Sequence, residues 1–138
     1  MSPLRTRPAT LADVPTVLDL WDLAASPYAS TRDEPEAVER LLSHNALLVA
    51  ERDGVVVGAL IAAWDGWRGN MYRLAVHPEH RREGVARALV ESGEETLRSR
   101  GARRVTALVA REDAAARALW LELGYEDDDA IGRFVRNL

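Results

Sequence analysis

The chain has 138 residues, 47% hydrophobic and 29% charged, enough for one compact core and too few for two ordinary domains. Its longest apolar runs, 55–63 and 105–110, are too short to cross a bilayer, and residues 1–12 lack a basic-then-apolar leader, so a cytoplasmic protein is expected rather than a membrane or secreted one. With no cysteine, no lysine and a net charge of -4, the chain excludes disulfides, thiolate zinc sites, cysteine nucleophiles and lysine Schiff bases, and it disfavours a general grip on nucleic acid.

Residues 4–7 read as a short first strand. Thr10 and Asp13 then form a capping-box-like start, with Asp in place of the usual Glu or Gln. Leu11, Val14, Leu18, Trp21 and Ala25 follow at helical spacing with one apolar face. Residues 26–32 break the pattern. Asp33, Glu36 and a first-turn Pro35 start a second, short helix carrying Val38, Leu41 and Leu42 and ending near 43–45. Apolar runs at 46–51 and 55–64 flank Arg52, Asp53 and Gly54, which predicts a hairpin. After a loop at 64–70, residues 71–76 form a strand halted by Pro78, which cannot donate to a ladder. Val85, Leu89, Gly93 and Leu97 mark a long helix that Gly101 ends, and residues 105–109 form the next strand. Ala116, Leu119, Trp120 and Leu123 lie on one more helix, between an N-cap at Asp113 and a stop at Gly124, and 125–126 and 131–135 are expected closing strands. The order β-α-α-β-β-β-α-β-α-β-β, without repeat or linker, predicts an α/β fold with one mixed sheet in a single domain, 1–138, antiparallel early and parallel late.

The chemistry concentrates where the strand at Leu74, Ala75 and Val76 turns through His77 and Pro78 into a glycine-containing helix start. A helix start exposes amides without intrahelical partners, and Gly84 and the small Ala86 let a ligand approach the backbone, which suits pyrophosphate. Arg81-Arg82-Glu83-Gly84-Val85-Ala86 matches R/Q-x-x-G-x-G/A and resembles the acetyl-coenzyme A signature of the GNAT superfamily of N-acetyltransferases. Leu74-Ala-Val-His-Pro78 is similar to that family's preceding strand. Asp113-Ala-Ala-Ala116 with Leu119-Trp120-Leu-Glu-Leu-Gly-Tyr125 is similar to its N-x-x-A-x-x-L-Y-x-x-x-G-F region. With residues 7–13 and 132–136, the resemblance spans nearly the whole chain.

The resemblance implies a GNAT-like sheet with an acyl-coenzyme A (acyl-CoA) cleft between splayed central strands, and acetyl-CoA as co-substrate. By it, the amides of Arg82, Glu83, Gly84, Val85 and Ala86 hold the pyrophosphate, with Arg81 and Arg87 near the phosphates. Leu74, Ala75 and Val76 pair with the pantetheine arm, and the Val76 backbone N–H stabilises the oxyanion. Asp113 and Trp120 border the cofactor. A Glu83 carboxylate beside a diphosphate is repulsive unless it turns to solvent, as expected here.

The pattern also departs from the family. Leu108 and Val109 carry no ionisable group, which leaves Asp65, His77 or an ordered water as candidates for removing the amine proton. Trp120 stands where the family often has a tyrosine general acid; indole donates a hydrogen bond without ionising, and a core-packing role is expected. Asp113 replaces an asparagine, losing a donor while keeping the capping function. Trp64, Asp65 and Trp67, with the acidic run around Asp128 and with Tyr28, are candidate acceptor-binding residues that would attract a cationic amine. His77 and His80 have metal-like spacing, but Pro78 breaks a helical arrangement and no third ligand accompanies them, so no metal is expected. The reading is acetyl transfer to a primary amine of a small molecule, peptide or protein, by direct attack in a ternary complex. A non-catalytic acyl-CoA binding or regulatory domain is the alternative. No membrane or nucleic-acid partner is expected, RNA-directed acylation being disfavoured by the acidic net charge, and a homodimer is left open.

Overall fold

In the computed structural model, which describes residues 2–24 and 34–138, five strands join in sequence order into one sheet. These are β1 (Arg5–Pro8), β2 (Leu47–Arg52), β3 (Val55–Trp64), β4 (Gly69–Val76) and β5 (Val105–Ala107); the first three junctions are antiparallel and β4–β5 is parallel. The β2–β3 hairpin turns on Asp53 (φ 55°) and Gly54 (φ 76°), two successive left-handed residues of the kind a tight hairpin requires.

The helices are α1 (Val14–Leu23), α2 (Pro35–Leu42), α3 (Val85–Arg100) and α4 (Ala114–Glu122). The described chain falls into two units, Met1–Leu108 and Val109–Leu138. In the first, Val14, Val17, Leu20 and Trp21 of α1 and Val38 of α2 pack on Leu47, Val49 and Ala59. The opposite face of β3 meets α3, since strand side chains alternate in direction. There, a Cβ on Gly58 would stand 2.6 Å from Val85 Cγ1 and 3.1 Å from the Ala75 carbonyl oxygen. Glycine at this position is what lets the first turn of α3 lie close to β3. Because β2 is covered on both faces, Leu47, Leu48, Val49 and Ala50 are all buried, which explains its unbroken apolar run. Each fully buried Leu or Val of this core contributes roughly 1.5–3 kcal/mol.

The start of the first helix carries more than a cap. Asp13 accepts from the Thr10 N–H at 2.7 Å, and Arg7 grips both of its oxygens at 2.7 and 3.1 Å. The Arg7 hydrogen bonds, ahead of those from Thr10, hold the Asp13 carboxyl down at about 2 despite its burial.

The second helix has Pro35 in its first turn, as expected; Asp33, like Ala25 and Tyr28, lies outside the described residues. Two expectations are corrected. β5 stops at Ala107, two residues short of the expected 105–109. The expected closing strands at 125–126 and 131–135 do not form, and Ile131, Phe134 and Val135 are 70%, 98% and 73% exposed. An alternating segment becomes a strand only on a neighbour that satisfies its ladder and covers its apolar face.

Candidate active site

The site begins where the sheet opens. β5 pairs with β4 only at Gly69, Asn70 and Met71, so this edge of β4 runs on from Tyr72 to Val76 without β5 beside it. The His77 N–H donates to the Val57 carbonyl at 2.8 Å, and Val76 stands opposite Gly58. Antiparallel alternation therefore turns the Val76 N–H and C=O away from β3, to the side β5 has left. Within the opened stretch Arg73 has φ 56°, and the register to β3 slips between Ala59 and Ile61, a bulge that bends the strand. The buried indole of Trp21 donates to the Arg73 carbonyl at 3.1 Å.

Beyond β4 comes a short 3₁₀ turn, Pro78–His80, and then Arg82 (φ 63°) and Gly84 (φ 82°), both left-handed. Left-handed residues beside a helix start make an anion-binding concavity of backbone N–H groups. The first helical bond at this end runs from the Ala88 N–H to the Gly84 carbonyl, at 3.0 Å, so the amides of Val85, Ala86 and Arg87 precede the α3 ladder. A Cβ built on Gly84 meets nothing within 4 Å, leaving a cradle open in front of them. Arg81, Arg82 and Arg87 are exposed around it. The loop, its amides and its arginines fit a diphosphate.

Glu83 corrects the expectation of a solvated carboxylate. It is only 21% exposed and pairs with Arg52 at the end of β2, with the His80 Nδ1 3.4 Å away. Arg52, itself 10% exposed, also donates from Nε to the Ser2 carbonyl at 3.0 Å.

The two base candidates are otherwise engaged. His77 Nδ1 accepts from the Glu79 N–H at 3.1 Å, so the 3₁₀ turn occupies one ring lone pair. Asp65 accepts from the N–H groups of Trp67 (2.8 Å) and Arg68 (2.6 Å) and from the Asn70 side chain (3.3 Å). These bonds, that from Arg68 foremost, hold its pKa below the usual carboxylate range, which makes it a poor proton acceptor. Asp65, Trp64 and Trp67 also sit at the β3–β4 turn, and the seven steps along β4 from Gly69 to Val76 amount to about 23 Å. There Trp67 is exposed and stacks with Arg68, whose Cζ lies 4.1 Å from its ring centroid. The structure does not bring this cluster to Val76. Among the described residues no group of three His, Asp or Glu side chains is placed to hold a metal ion.

In the second unit Asp113 caps α4 by accepting from the Ala116 N–H at 3.0 Å. Trp120 is 8% exposed and meets Tyr125 edge-on at 4.8 Å, the packing role its helical spacing suggested. Asp128 accepts from the Ala130 N–H at 3.3 Å, while its neighbour Asp127 pairs with Arg117 at 2.6 Å.

Residues 16–125 match the family model described as the acetyltransferase (GNAT) family. The chain belongs to this family. As a GNAT acetyltransferase it is 37% identical over 102 residues to an acetyltransferase of Yersinia pestis (strain Pestoides F), covering 72% of each chain. An acetyltransferase of Pectobacterium atrosepticum is 35% identical over 124 residues, 86% of this chain and 85% of that one. The aminoglycoside N-acetyltransferase AAC(6')-Iy in complex with CoA has the same fold, with a TM-score of 0.80 over 100% of this chain and 97% of that one, at 18% identity. That protein is also known in complex with the bisubstrate analog CoA-S-monomethyl-acetylneamine. The GNAT membership makes this chain an N-acetyltransferase with a mixed α/β fold.

Three site features were not legible in spacing: the Trp21–Arg73 bond, the Arg52–Glu83 pair and the close approach at Gly58.

Proposed function

We propose that this GNAT acetyltransferase moves the acetyl group of acetyl-CoA to a primary amine of a small molecule, peptide or protein, by direct attack in a ternary complex. The observation that carries the reading is continuous in the chain: the opened end of β4 runs into a loop where two left-handed residues and the start of α3 gather backbone amides. The amides of Arg82, Glu83, Gly84, Val85 and Ala86 hold the diphosphate, with the guanidinium groups of Arg81 and Arg87 beside it. Leu74, Ala75 and Val76 offer the edge that β5 has left to the pantetheine arm, as a strand edge offers its ladder to an added strand. The Val76 N–H donates to the developing oxyanion.

Acetyl-CoA supplies an activated acyl group, so the protein's contribution is to orient two reactants and exclude water. With no cysteine in the chain, direct attack needs no acyl-cysteine intermediate. A neighbour of the same fold that accepts a bisubstrate analog supports the ternary complex. Since Asp65 and His77 are committed elsewhere, an ordered water removes the amine proton. We read 1–138 as one domain, because the family match crosses both units. The absence of cysteine and of a helix among the described residues long and apolar enough to cross a membrane supports a cytoplasmic enzyme.

The test is release of free CoA thiol from acetyl-CoA across a panel of primary amines, followed by initial-rate kinetics on an active acceptor. Intersecting double-reciprocal lines are expected; parallel lines, or no turnover with any amine, refute the reading.

A further inference from the structure

Glu83 places a carboxylate inside the loop whose amides face the diphosphate, one residue before Gly84. Unit charges of like sign within about 8 Å, at an effective dielectric constant near 20, repel strongly enough to weaken binding of a doubly charged ligand about tenfold even after partial screening by salt. Three exposed arginines surround the loop, yet Glu83 pairs with none of them; its partner is Arg52, which arrives from β2 and is 10% exposed. Arg52 is held from its other side by the Ser2 carbonyl, 3.0 Å from Nε. A guanidinium fixed by two partners stays where it is when the ligand arrives, and a half-buried pair is screened less than a surface pair.

We propose that Arg52 is a positioning residue for acyl-CoA: it draws the Glu83 carboxylate to the sheet side of the loop and cancels its charge, so that the amides of residues 82–86 face the diphosphate without a competing anion. The inference rests on the reading that CoA's diphosphate sits on this loop. His80 does not replace Arg52, because one ring nitrogen 3.4 Å from the carboxylate offers a single long contact, whereas the Arg52 guanidinium carries a permanent charge.

The two halves of the pair then act in opposite directions. Arg52→Gln exposes the diphosphate to an uncompensated carboxylate, whereas Glu83→Gln removes the carboxylate. The experiment measures the CoA Kd by calorimetry at low and high salt, and acetyl-CoA KM and kcat, for R52Q, E83Q, the double variant and R52K. R52Q is expected to raise Kd and KM about tenfold with kcat within about twofold, and its ratio to wild type should shrink as salt screens the charge. E83Q should tighten CoA binding, the double variant should recover most of what R52Q loses, and R52K should stay within about threefold of wild type because the charge is kept. If R52Q fails to fold, E83Q and R52K still decide the matter: weaker binding by E83Q overturns the proposal. So do equal losses in both single variants without recovery in the double, which describe a brace and not a charge shield. A wild-type protein that binds no CoA overturns the loop reading itself, and the proposal with it.

Discussion

Gly84→Ala separates the space a ligand needs from the space the fold needs. Gly84 sits at φ 82°, and an added Cβ meets no atom within 4 Å. The cost to the free protein is therefore the backbone penalty of a left-handed alanine, about 1–2 kcal/mol, with no clash added. At this chain length about 1 kcal/mol lowers Tm by roughly 3–5 °C. Binding should suffer more, because the methyl group enters the open space before the α3 amides, where hydrogen bonds to a charged ligand contribute about 1.5–3 kcal/mol each. Displacing the diphosphate from two of them raises the CoA Kd by about 10² or more. The control is Leu97→Met on the same helix: Leu97 is fully buried, and a volume-conserving exchange costs under about 1.5 kcal/mol. Calorimetry at a temperature where both variants are folded should find the alanine variant impaired and the methionine variant like wild type. An unchanged CoA Kd in Gly84→Ala, with the expected fall in Tm, refutes the placement of the diphosphate.

Asp13, held at about 2 against an ordinary 3.8, contributes stability that is complete above pH 4 and lost as pH falls through 2. The loss should be roughly 1–2 kcal/mol after allowance for solvent screening, and Asp13→Asn should flatten Tm against pH across that window. Trp21→Phe removes the donor to the Arg73 carbonyl while keeping most of the apolar volume. It should lower kcat and acetyl-CoA affinity by about tenfold through a relaxed bulge, read by steady-state kinetics at a temperature below the variant's melting point. Asp65→Asn should change kcat by less than about twofold and leave the pH–rate profile in place; loss of the acidic limb would restore Asp65 as the proton acceptor. Trp120→Phe keeps an aromatic ring against Tyr125 and should cost turnover only a few-fold, whereas a collapse without unfolding would show that the indole N–H takes part.

Much of this protein is set by short-range chemistry that its sequence displays. Asp53 and Gly54 turn the hairpin, Asp113 caps α4, and Gly84 and Gly101 bound α3 with left-handed residues, because φ preferences and orphan helix amides act within a few residues. The loop proposed for the diphosphate could be singled out for the same reason, being a strand end, a glycine and a helix start contiguous in the chain.

What the sequence did not display depends on segments far apart. Trp21 reaches Arg73 across 52 positions and Arg52 reaches Glu83 across 31, and neither follows from a periodicity. The same is true of where β5 leaves β4, which turns a strand edge into a cleft, and of the tail after Gly124, whose alternation promised strands that no neighbour completes. Asp65 reads as a catalytic carboxylate until the fold places it in a turn, where three donors stabilise its charge. Local patterns decide which elements form and where they stop. Only tertiary packing decides which edges lose their partners and which charges meet, because ladders and ion pairs are completed by groups the local chain does not contain.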